Sequence, residues 1–189
     1  SLFSLFREKN PGKEMVYLYQ WEGMKYIFDM DDFSYIKEFP VTYEGSEKMK
    51  DAAASYMKNN KPGLAFFAWD YPDKIGHTSG WYTSDYMAEL THIDDIIKGI
   101  FDACSEAGIA DNTLFVITSD HGGHAQGHGE PLMSDLETPF ILFGRGVVPG
   151  EITGSLMQYD VASILANYMG LKQPDSWRGK TPDNLFQYF

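Results

Sequence analysis

Residues 114–123 of the chain have the sequence LFVITSDHGG, and this stretch decides the fold class. Its first four residues are apolar and include Val116 and Ile117, which is typical of a buried strand. Asp120 and His121 follow where that strand ends, and the segment GHG at 127–129 brings back a second imidazole. Glycines allow a loop backbone to approach a ligand closely. The pattern therefore predicts a polar site in the loop after a buried strand.

The same arrangement occurs upstream. The apolar run LAFFAW at 64–69 is followed by DKIGH at 73–77, which places Asp73 and His77 beyond another predicted strand. We expect the two strands to be parallel, so that both pairs of polar residues lie at one edge of a sheet. Carboxylates and imidazoles together suit divalent metals, zinc above all. The predicted metal ligands are Asp73, His77, Asp120, His121 and His128.

Three further polar residues lie in the loop that carries the second motif: His124, Gln126 and Glu130. His124 is a candidate for an outer-shell hydrogen bond to a ligand or for contact with the substrate. An exposed loop histidine is an equally good interpretation of this residue. Gln126 and Glu130 are candidates to orient the ligand imidazoles, because metal-bound histidines commonly donate their other ring N–H to a protein oxygen.

Taken together, the motifs DxxGH at 73–77, SDHG at 119–122 and GHG at 127–129 resemble those of the alkaline phosphatase superfamily. The type I phosphodiesterase/nucleotide pyrophosphatase-like branch is similar over about residues 17–146. The resemblance implies two metal ions, usually zinc, an α/β sheet, hydrolysis of small phosphate mono- or diesters, and an extracytoplasmic location. It assigns Asp73, His77 and His128 to one metal. It assigns Asp120 and His121 to the other metal.

The chain departs from the family pattern in its nucleophile. Family members supply a Thr or Ser nucleophile, and a further Asp for the second metal, from an N-terminal half. Neither is found here, since we expect Ser4 on the polar face of a first helix and Thr42 in a loop after Pro40. We therefore expect residues 1–189 to form a single α/β domain, the C-terminal portion of a larger metal-dependent hydrolase. It should be inactive alone and hold the second metal weakly.

Predicted strands and helices alternate along the chain, which indicates a mostly parallel sheet with helices on both faces, as in alkaline phosphatase-like folds. The longest predicted helix spans residues 84–107, and Gly108 suits its C-terminus. His92, Asp94 and Asp95 fall largely outside its apolar stripe and are predicted to form a solvated face. The predicted inner stripe consists of Met87, Leu90, Ile93, Ile97, Ile100 and Cys104.

Charge and hydropathy limit the partners of the chain. Its 15 basic and 27 acidic residues give a net charge of −12, which disfavours a nucleic acid polymer because phosphate backbones require a basic surface. A small phosphate ester stays compatible, since bound divalent cations reverse the local sign. No stretch has the ~18 apolar residues that a membrane span requires. An incomplete sheet would leave an edge uncovered, through which the chain could self-associate.

Two other functions remain open on the sequence alone. The first is a non-catalytic metal-binding or interaction domain that keeps the scaffold without a nucleophile. The second is a sulfatase-like hydrolase. Sulfatases usually bind a single calcium ion and require a Cys/Ser-x-Pro-x-Arg motif, which this sequence lacks. The sequence therefore favours the phosphate ester hydrolase.

Overall fold

A computed structural model describes residues 1–187 of the chain, which form six helices and five strands within that range. The helices are α1 (Leu2–Lys9), α2 (Tyr43–Asn60), α3 (Asp73–Ser79), α4 (Ser84–Glu106), α5 (Met133–Leu136) and α6 (Gln158–Tyr168). The strands are β1 (Met15–Tyr19), β2 (Tyr35–Glu38), β3 (Leu64–Ala68), β4 (Leu114–Thr118) and β5 (Phe140–Gly144). Short 3-10 turns lie at Glu22–Tyr26, Met30–Asp32 and Ala110–Asn112.

The strands form two separate sheets. β1, β2 and β3 are parallel to one another in the order β2-β1-β3, whereas β4 and β5 form an antiparallel pair. The predicted α/β fold with a parallel sheet is confirmed. The expectation that β3 and β4 are parallel strands of one sheet is wrong within residues 1–187, because β4 hydrogen-bonds to β5 and not to β3. An apolar run predicts a strand but carries no information about its partner.

β1 is the centre of the larger sheet, with helices on both of its faces. Successive side chains of a strand point to opposite faces. Val16 and Leu18 pack with α2 and α4, whereas Tyr17 and Tyr19 pack with α1 and α6. All five residues of β1 are 4% exposed or less. Burial of this apolar surface on both faces fixes the position of β1 and, through hydrogen bonding, that of β3 beside it.

The long helix α4 has the predicted bounds to within one residue. Gly108 follows it with a φ of 69°, a conformation that favours glycine, and its N–H donates to the carbonyl of Ser105. Asp94 and Asp95 are exposed, as predicted. The sequence alone was sufficient to predict the bounds of α4, because the length of the apolar pattern and the glycine that follows it agree.

The predicted inner stripe of α4 is wrong towards its N-terminus. Cys104 is buried, but Met87 and Leu90 are 53% and 38% exposed. Glu89 is buried instead, and the imidazole of His92 donates to its carboxylate over 2.8 Å. Hydrogen bonding offsets the cost of burying these polar groups. The predicted solvated position of His92 is therefore wrong, because apolar periodicity cannot detect an inward-facing ion pair.

The two hydroxyls considered as nucleophiles occupy helix ends or faces. Ser4 lies on α1, as expected, and donates to Asp32 over 2.6 Å. Thr42 lies after Pro40 in the short segment between β2 and α2, as expected, and is the N-cap residue of α2. Its Oγ1 accepts from the N–H of Gly45 at 3.0 Å, so its hydroxyl caps the helix.

Two structural features bear on partners. No helix within residues 1–187 is both long enough and apolar enough to cross a bilayer. The outer edges of β2 and β3 have no hydrogen-bonded strand in the part of the chain that the structure describes. Unpaired edges can template further pairing. Self-association through such an edge stays a prediction.

Candidate metal centre

Asp73 and His77 lie on one face of α3, the short helix that follows β3. Residues four apart are neighbours on a helix surface. His77 Nε2 lies 3.4 Å from Asp73 Oδ2. Pro72 precedes the helix as its N-cap residue, and its carbonyl accepts from the N–H groups of Ile75 and Gly76. The motif DxxGH therefore places its carboxylate and imidazole side by side on consecutive turns of one helix. This short helix was not predicted from the sequence.

His128 joins this pair from the loop after β4. Its Nε2 lies 3.7 Å from Asp73 Oδ1, and its ring centroid lies 5.0 Å from that of His77. One candidate ligand atom from each of the three residues lies within 4.8 Å of the other two. Asp73 Oδ1 is buried without a hydrogen-bond partner, and a bound cation would compensate for the missing partner. We call Asp73, His77 and His128 the three-ligand cluster.

The imidazole of His77 is oriented by the backbone of the loop that carries His128. His77 Nδ1 lies 3.0 Å from the carbonyl oxygen of Gln126. A carbonyl only accepts, so Nδ1 carries the proton and Nε2 keeps its lone pair. The Gln126 amide in turn donates to the carbonyl of Thr78 at 3.0 Å. Gln126 thus orients a predicted ligand through its main chain.

Asp120 and His121 form the adjoining half of the site. The ring of His121 stacks on that of His128, with centroids 3.7 Å apart. His121 Nδ1 donates to the carbonyl of Gly122 over 2.7 Å, so Nε2 is again the free nitrogen, and it lies 3.6 Å from Asp120 Oδ2. The Asp120 side chain is 85% exposed. This half supplies two predicted ligands, and the structure brings both beside the three-ligand cluster.

Asp70 is a third carboxylate near both the three-ligand cluster and the Asp120–His121 pair. It was not predicted from the sequence. It lies half-buried between β3 and α3, and its N–H donates to the buried Gln20 side chain over 3.1 Å. Burial, followed by the carboxylates of Asp73 and Asp120, raises the pKa of Asp70. Crowded carboxylates of this kind are relieved by a bound cation. The sequence signal was the acidic side chain just before the DxxGH motif.

His124 is oriented by a buried side chain. Its Nδ1 lies 2.7 Å from an oxygen of Asp135, which is 3% exposed. The other Asp135 oxygen accepts from the N–H of Glu130 at 2.9 Å. A carboxylate that holds one ring nitrogen fixes the imidazole and leaves Nε2 for other partners. Glu130 therefore acts through its backbone on Asp135, and no contact of its carboxylate with a ligand imidazole is seen within residues 1–187.

The hydroxyl groups close in sequence to these ligands are engaged with the main chain. The Ser119 hydroxyl donates to the carbonyl of His121 at 3.0 Å, and the Thr78 hydroxyl to that of Lys74 at 3.1 Å. Thr118 Oγ1 donates weakly to the carbonyl of Ser119 over 3.4 Å. A serine or threonine nucleophile requires activation by a base or a metal. These hydroxyls are instead committed to backbone acceptors.

The chain has an α/β fold in which helix α3 after β3 and the loop after β4 bring two Asp–His pairs and a third histidine together. These features agree with the alkaline phosphatase superfamily. The comparison with protein families is more specific. The model described as type I phosphodiesterase / nucleotide pyrophosphatase matches residues 7–132. The chain belongs to this family, and the resemblance predicted from its motifs is confirmed.

The chain is also similar to fungal proteins named GPI ethanolamine phosphate transferase 1. The protein from Saccharomyces cerevisiae is 27% identical over 130 residues, which cover 58% of this chain and 14% of that protein. The protein from Chaetomium globosum is 27% identical over 201 residues, which cover 91% of this chain and 21% of that protein. The chain therefore spans about a fifth or less of the length of these relatives.

A solved structure supports the architecture. The crystal structure of Ps i-CgsB is similar, with a TM-score of 0.62 and 14% identity. The alignment covers 95% of this chain and 55% of the Ps i-CgsB chain. At this identity the likeness shows the fold alone. It agrees with the alkaline phosphatase-like arrangement of the described elements.

Proposed function

We propose that this chain is the metal-binding portion of a phosphate ester hydrolase, either a phosphodiesterase or a phosphatase. The observation that carries the proposal is the convergence of the three-ligand cluster, whose ligand atoms lie within 4.8 Å of one another. The buried oxygen of Asp73 without a hydrogen-bond partner supports the same conclusion. Relatives are named GPI ethanolamine phosphate transferase 1, and ethanolamine phosphate is itself a phosphate ester, which supports this substrate class.

The residue set suits two divalent ions, zinc most readily. Asp73, His77 and His128 would hold the first ion, and Asp120 and His121 would hold the second more weakly. When bound, such ions stabilise the negative charge of a phosphoryl group. The chain contributes preorganisation, since His77 and His121 each donate Nδ1–H to a backbone carbonyl and present Nε2.

We assign His124 a role in contacting the substrate. Asp135 holds its Nδ1 atom, so the imidazole keeps one orientation without a bound metal. The ring is partly exposed, and its Nε2 atom remains for a substrate oxygen or a water molecule. A fixed imidazole of this kind binds a ligand with a smaller loss of side-chain entropy than a mobile one.

We also propose that the chain does not turn over phosphate esters at a rate typical of its family. The hydroxyls near the ligands donate to backbone carbonyls. The attacking group would then belong to another part of a larger enzyme, of which residues 1–189 form one α/β portion. Water could still attack slowly, so weak activity on an activated aryl ester is compatible with the proposal.

The test combines zinc titration with turnover of p-nitrophenyl phosphate and of its thymidine diester analogue. We expect the chain to bind zinc without robust turnover. Absence of zinc binding would overturn the proposed metal site. Robust turnover that is abolished by His77→Ala would overturn the proposal that the chain alone is inactive. A full-length gene product that binds zinc but never turns over would indicate the alternative, a non-catalytic metal-binding domain.

A further inference from the structure

Trp81 contacts two of the candidate ligands at once. It lies between α3 and α4 and is 7% exposed. Its indole meets the ring of His77 at a centroid distance of 5.3 Å and an angle of 87°. It meets the ring of His128 at 6.0 Å and 69°. One buried aromatic side chain therefore packs edge-to-face against imidazoles that come from two distant segments of the chain.

Two glycines leave room for this indole. A Cβ atom added to Gly76 would lie 2.6 Å from the Trp81 ring, closer than real Cβ contacts come. A Cβ atom added to Gly123 would meet the same ring more closely still. The indole therefore fills a slot between α3 and the loop after β4. This packing gives a physical reason for glycine directly before His77 and two residues after His121.

The main chain holds Trp81 in the slot. Its N–H donates to the carbonyl of Ala125 over 2.8 Å. The next carbonyl along the loop, that of Gln126, accepts from His77 Nδ1. The tip of the loop is thus hydrogen-bonded to both residues that flank the turn after α3. The backbone of Trp81 is therefore fixed beside the loop that carries His128, and its side chain starts from a fixed position.

We propose that Trp81 is a positioning residue of the candidate metal centre, a role that rests on the metal-binding function proposed above. The indole holds the rings of His77 and His128 at a fixed mutual angle and shields the sides of the rings that it contacts. A ligand imidazole that is already ordered loses less rotational freedom when it binds an ion. Trp81 therefore acts on metal affinity without touching the metal.

Zinc affinity, measured by competition with a chromogenic chelator, tests this role. Trp81→Leu keeps an apolar side chain but removes the ring, and we expect affinity to fall about 10- to 100-fold, as for the loss of other groups that orient ligands. Trp81→Phe retains an aromatic edge and should recover most of the loss. Trp21→Phe is the matched control, because Trp21 is 55% exposed, and it should bind as the wild type does.

A pair of glycine variants tests the slot without altering Trp81. Gly123→Ala would push a methyl group into the indole and should lower zinc affinity as Trp81→Leu does. Gly12→Ala adds the same methyl outside the metal-binding motifs, where nothing lies within 4 Å, and should leave affinity unchanged. This pair keeps the role testable if Trp81→Leu fails to fold. Circular dichroism melts identify the folded variants.

Tryptophan fluorescence provides a readout that general destabilisation would not imitate. Zinc should change the emission of the wild type and of Trp21→Phe, and this change should disappear in Trp81→Phe.

Two outcomes overturn the inference. One is a folded Trp81→Leu protein that binds zinc with an affinity within threefold of the wild type, and the other is an equal loss of zinc affinity in Trp81→Leu and Trp81→Phe. If the wild type binds no zinc, both the inference and the proposed function fall. If the wild type binds zinc and Trp81→Leu binds it equally well, only the inference about Trp81 falls and the proposed function stands.

Discussion

Two groups of histidines and carboxylates in this molecule differ in how their hydrogen-bonding groups are used. The three-ligand cluster lies beyond β3. The other group, which we call the His92 network, consists of Glu47, Glu89 and His92 and joins α2 to α4. In the network, His92 Nδ1 bonds Glu89 at 2.8 Å and Nε2 bonds Glu47 at 2.7 Å. In the cluster, His128 Nε2 lies 3.7 Å from Asp73 Oδ1, a buried oxygen that has no hydrogen-bond partner.

The difference shows that composition does not identify a metal centre. Both groups combine carboxylate and imidazole, and both lie partly shielded from solvent. The His92 network is internally satisfied, and the ring of His92 also stacks on Tyr43 at 4.2 Å. The three-ligand cluster retains acceptor capacity that protein donors do not meet. Unmet capacity in a fixed geometry is therefore the feature that favours a cation.

The largest expected effect is on zinc affinity. His77→Ala removes a ligand and should weaken zinc binding by about 100-fold or more, beyond the loss expected for a group that only orients a ligand. His92→Gln should leave affinity within about twofold, because both nitrogens of His92 are already bonded. Isothermal titration of the two variants beside the wild type measures this contrast. Equal losses would remove the distinction between the two groups.

The next effect is the stabilisation that zinc provides. A ligand present at 100 times its Kd stabilises the folded state by about 2.7 kcal/mol. We expect this increment in the wild type and in His92→Gln, and its absence in His77→Ala. Urea unfolding with and without zinc measures it. Retention of the increment in His77→Ala would show that zinc binds elsewhere on the chain.

A smaller effect is expected from the pH dependence of the His92 network. Burial lowers the pKa of His92, but the hydrogen bonds that its ring donates to Glu47 and Glu89 outweigh the effect of burial, so the pKa is raised overall. Because the folded pKa exceeds the unfolded value, the network stabilises fully below about pH 6.5 and loses its contribution as pH rises through the folded pKa. Lys50, which is ion-paired with Glu47, keeps its charge over this range.

The measurement for the His92 network is the free energy of unfolding at pH 6 and pH 9. The wild type should exceed His92→Gln by about 1–2 kcal/mol at pH 6, as for hydrogen bonds to charged groups. The difference should shrink at pH 9. A constant difference at both pH values would contradict the role of the imidazolium, and zinc should not alter the result.

The smallest effect should come from the adjoining half of the site. His121→Ala should reduce the affinity of the tightly bound zinc by less than about tenfold, since Asp120 and His121 are not members of the three-ligand cluster. Metal analysis after dialysis should give about one ion per chain. Two tightly held ions would show that a further carboxylate completes the second half, and Asp70 would be the first residue to replace.

The sequence predicted the fold class and most elements because their signals are local. The bounds of α4 were predicted to within one residue, because the spacing of its apolar residues and the glycine after its C-terminus agree there. The pairing of β4 with β5 depends on contacts distant in sequence, which no local pattern contains. The inward orientation of His92 was missed for the same reason, since its partner Glu47 lies on another helix.

The candidate site was predicted unevenly. The sequence indicated the motifs that contain Asp73, His77 and His128, because glycines and polar residues follow predicted strands. It did not indicate Trp81, whose importance arises from packing between two segments rather than from any motif. Nor did it indicate Asp70, whose carboxylate becomes relevant only when α3 folds beside the loop after β4. Their roles as metal ligands or positioning residues stay predictions.

The hydrogen bonds of Trp81 and His77 to the loop tip have a consequence for chain entropy. His77 and His128 are 51 residues apart (128 − 77). For a flexible loop of that length, the length-dependent part of the entropic cost of closure is about 3.5 kcal/mol. The Trp81–Ala125 and His77–Gln126 bonds close it through protein groups alone. An arriving ion would therefore not have to gather its ligands, and the Trp81 amide should exchange its hydrogen slowly even in the presence of a chelator.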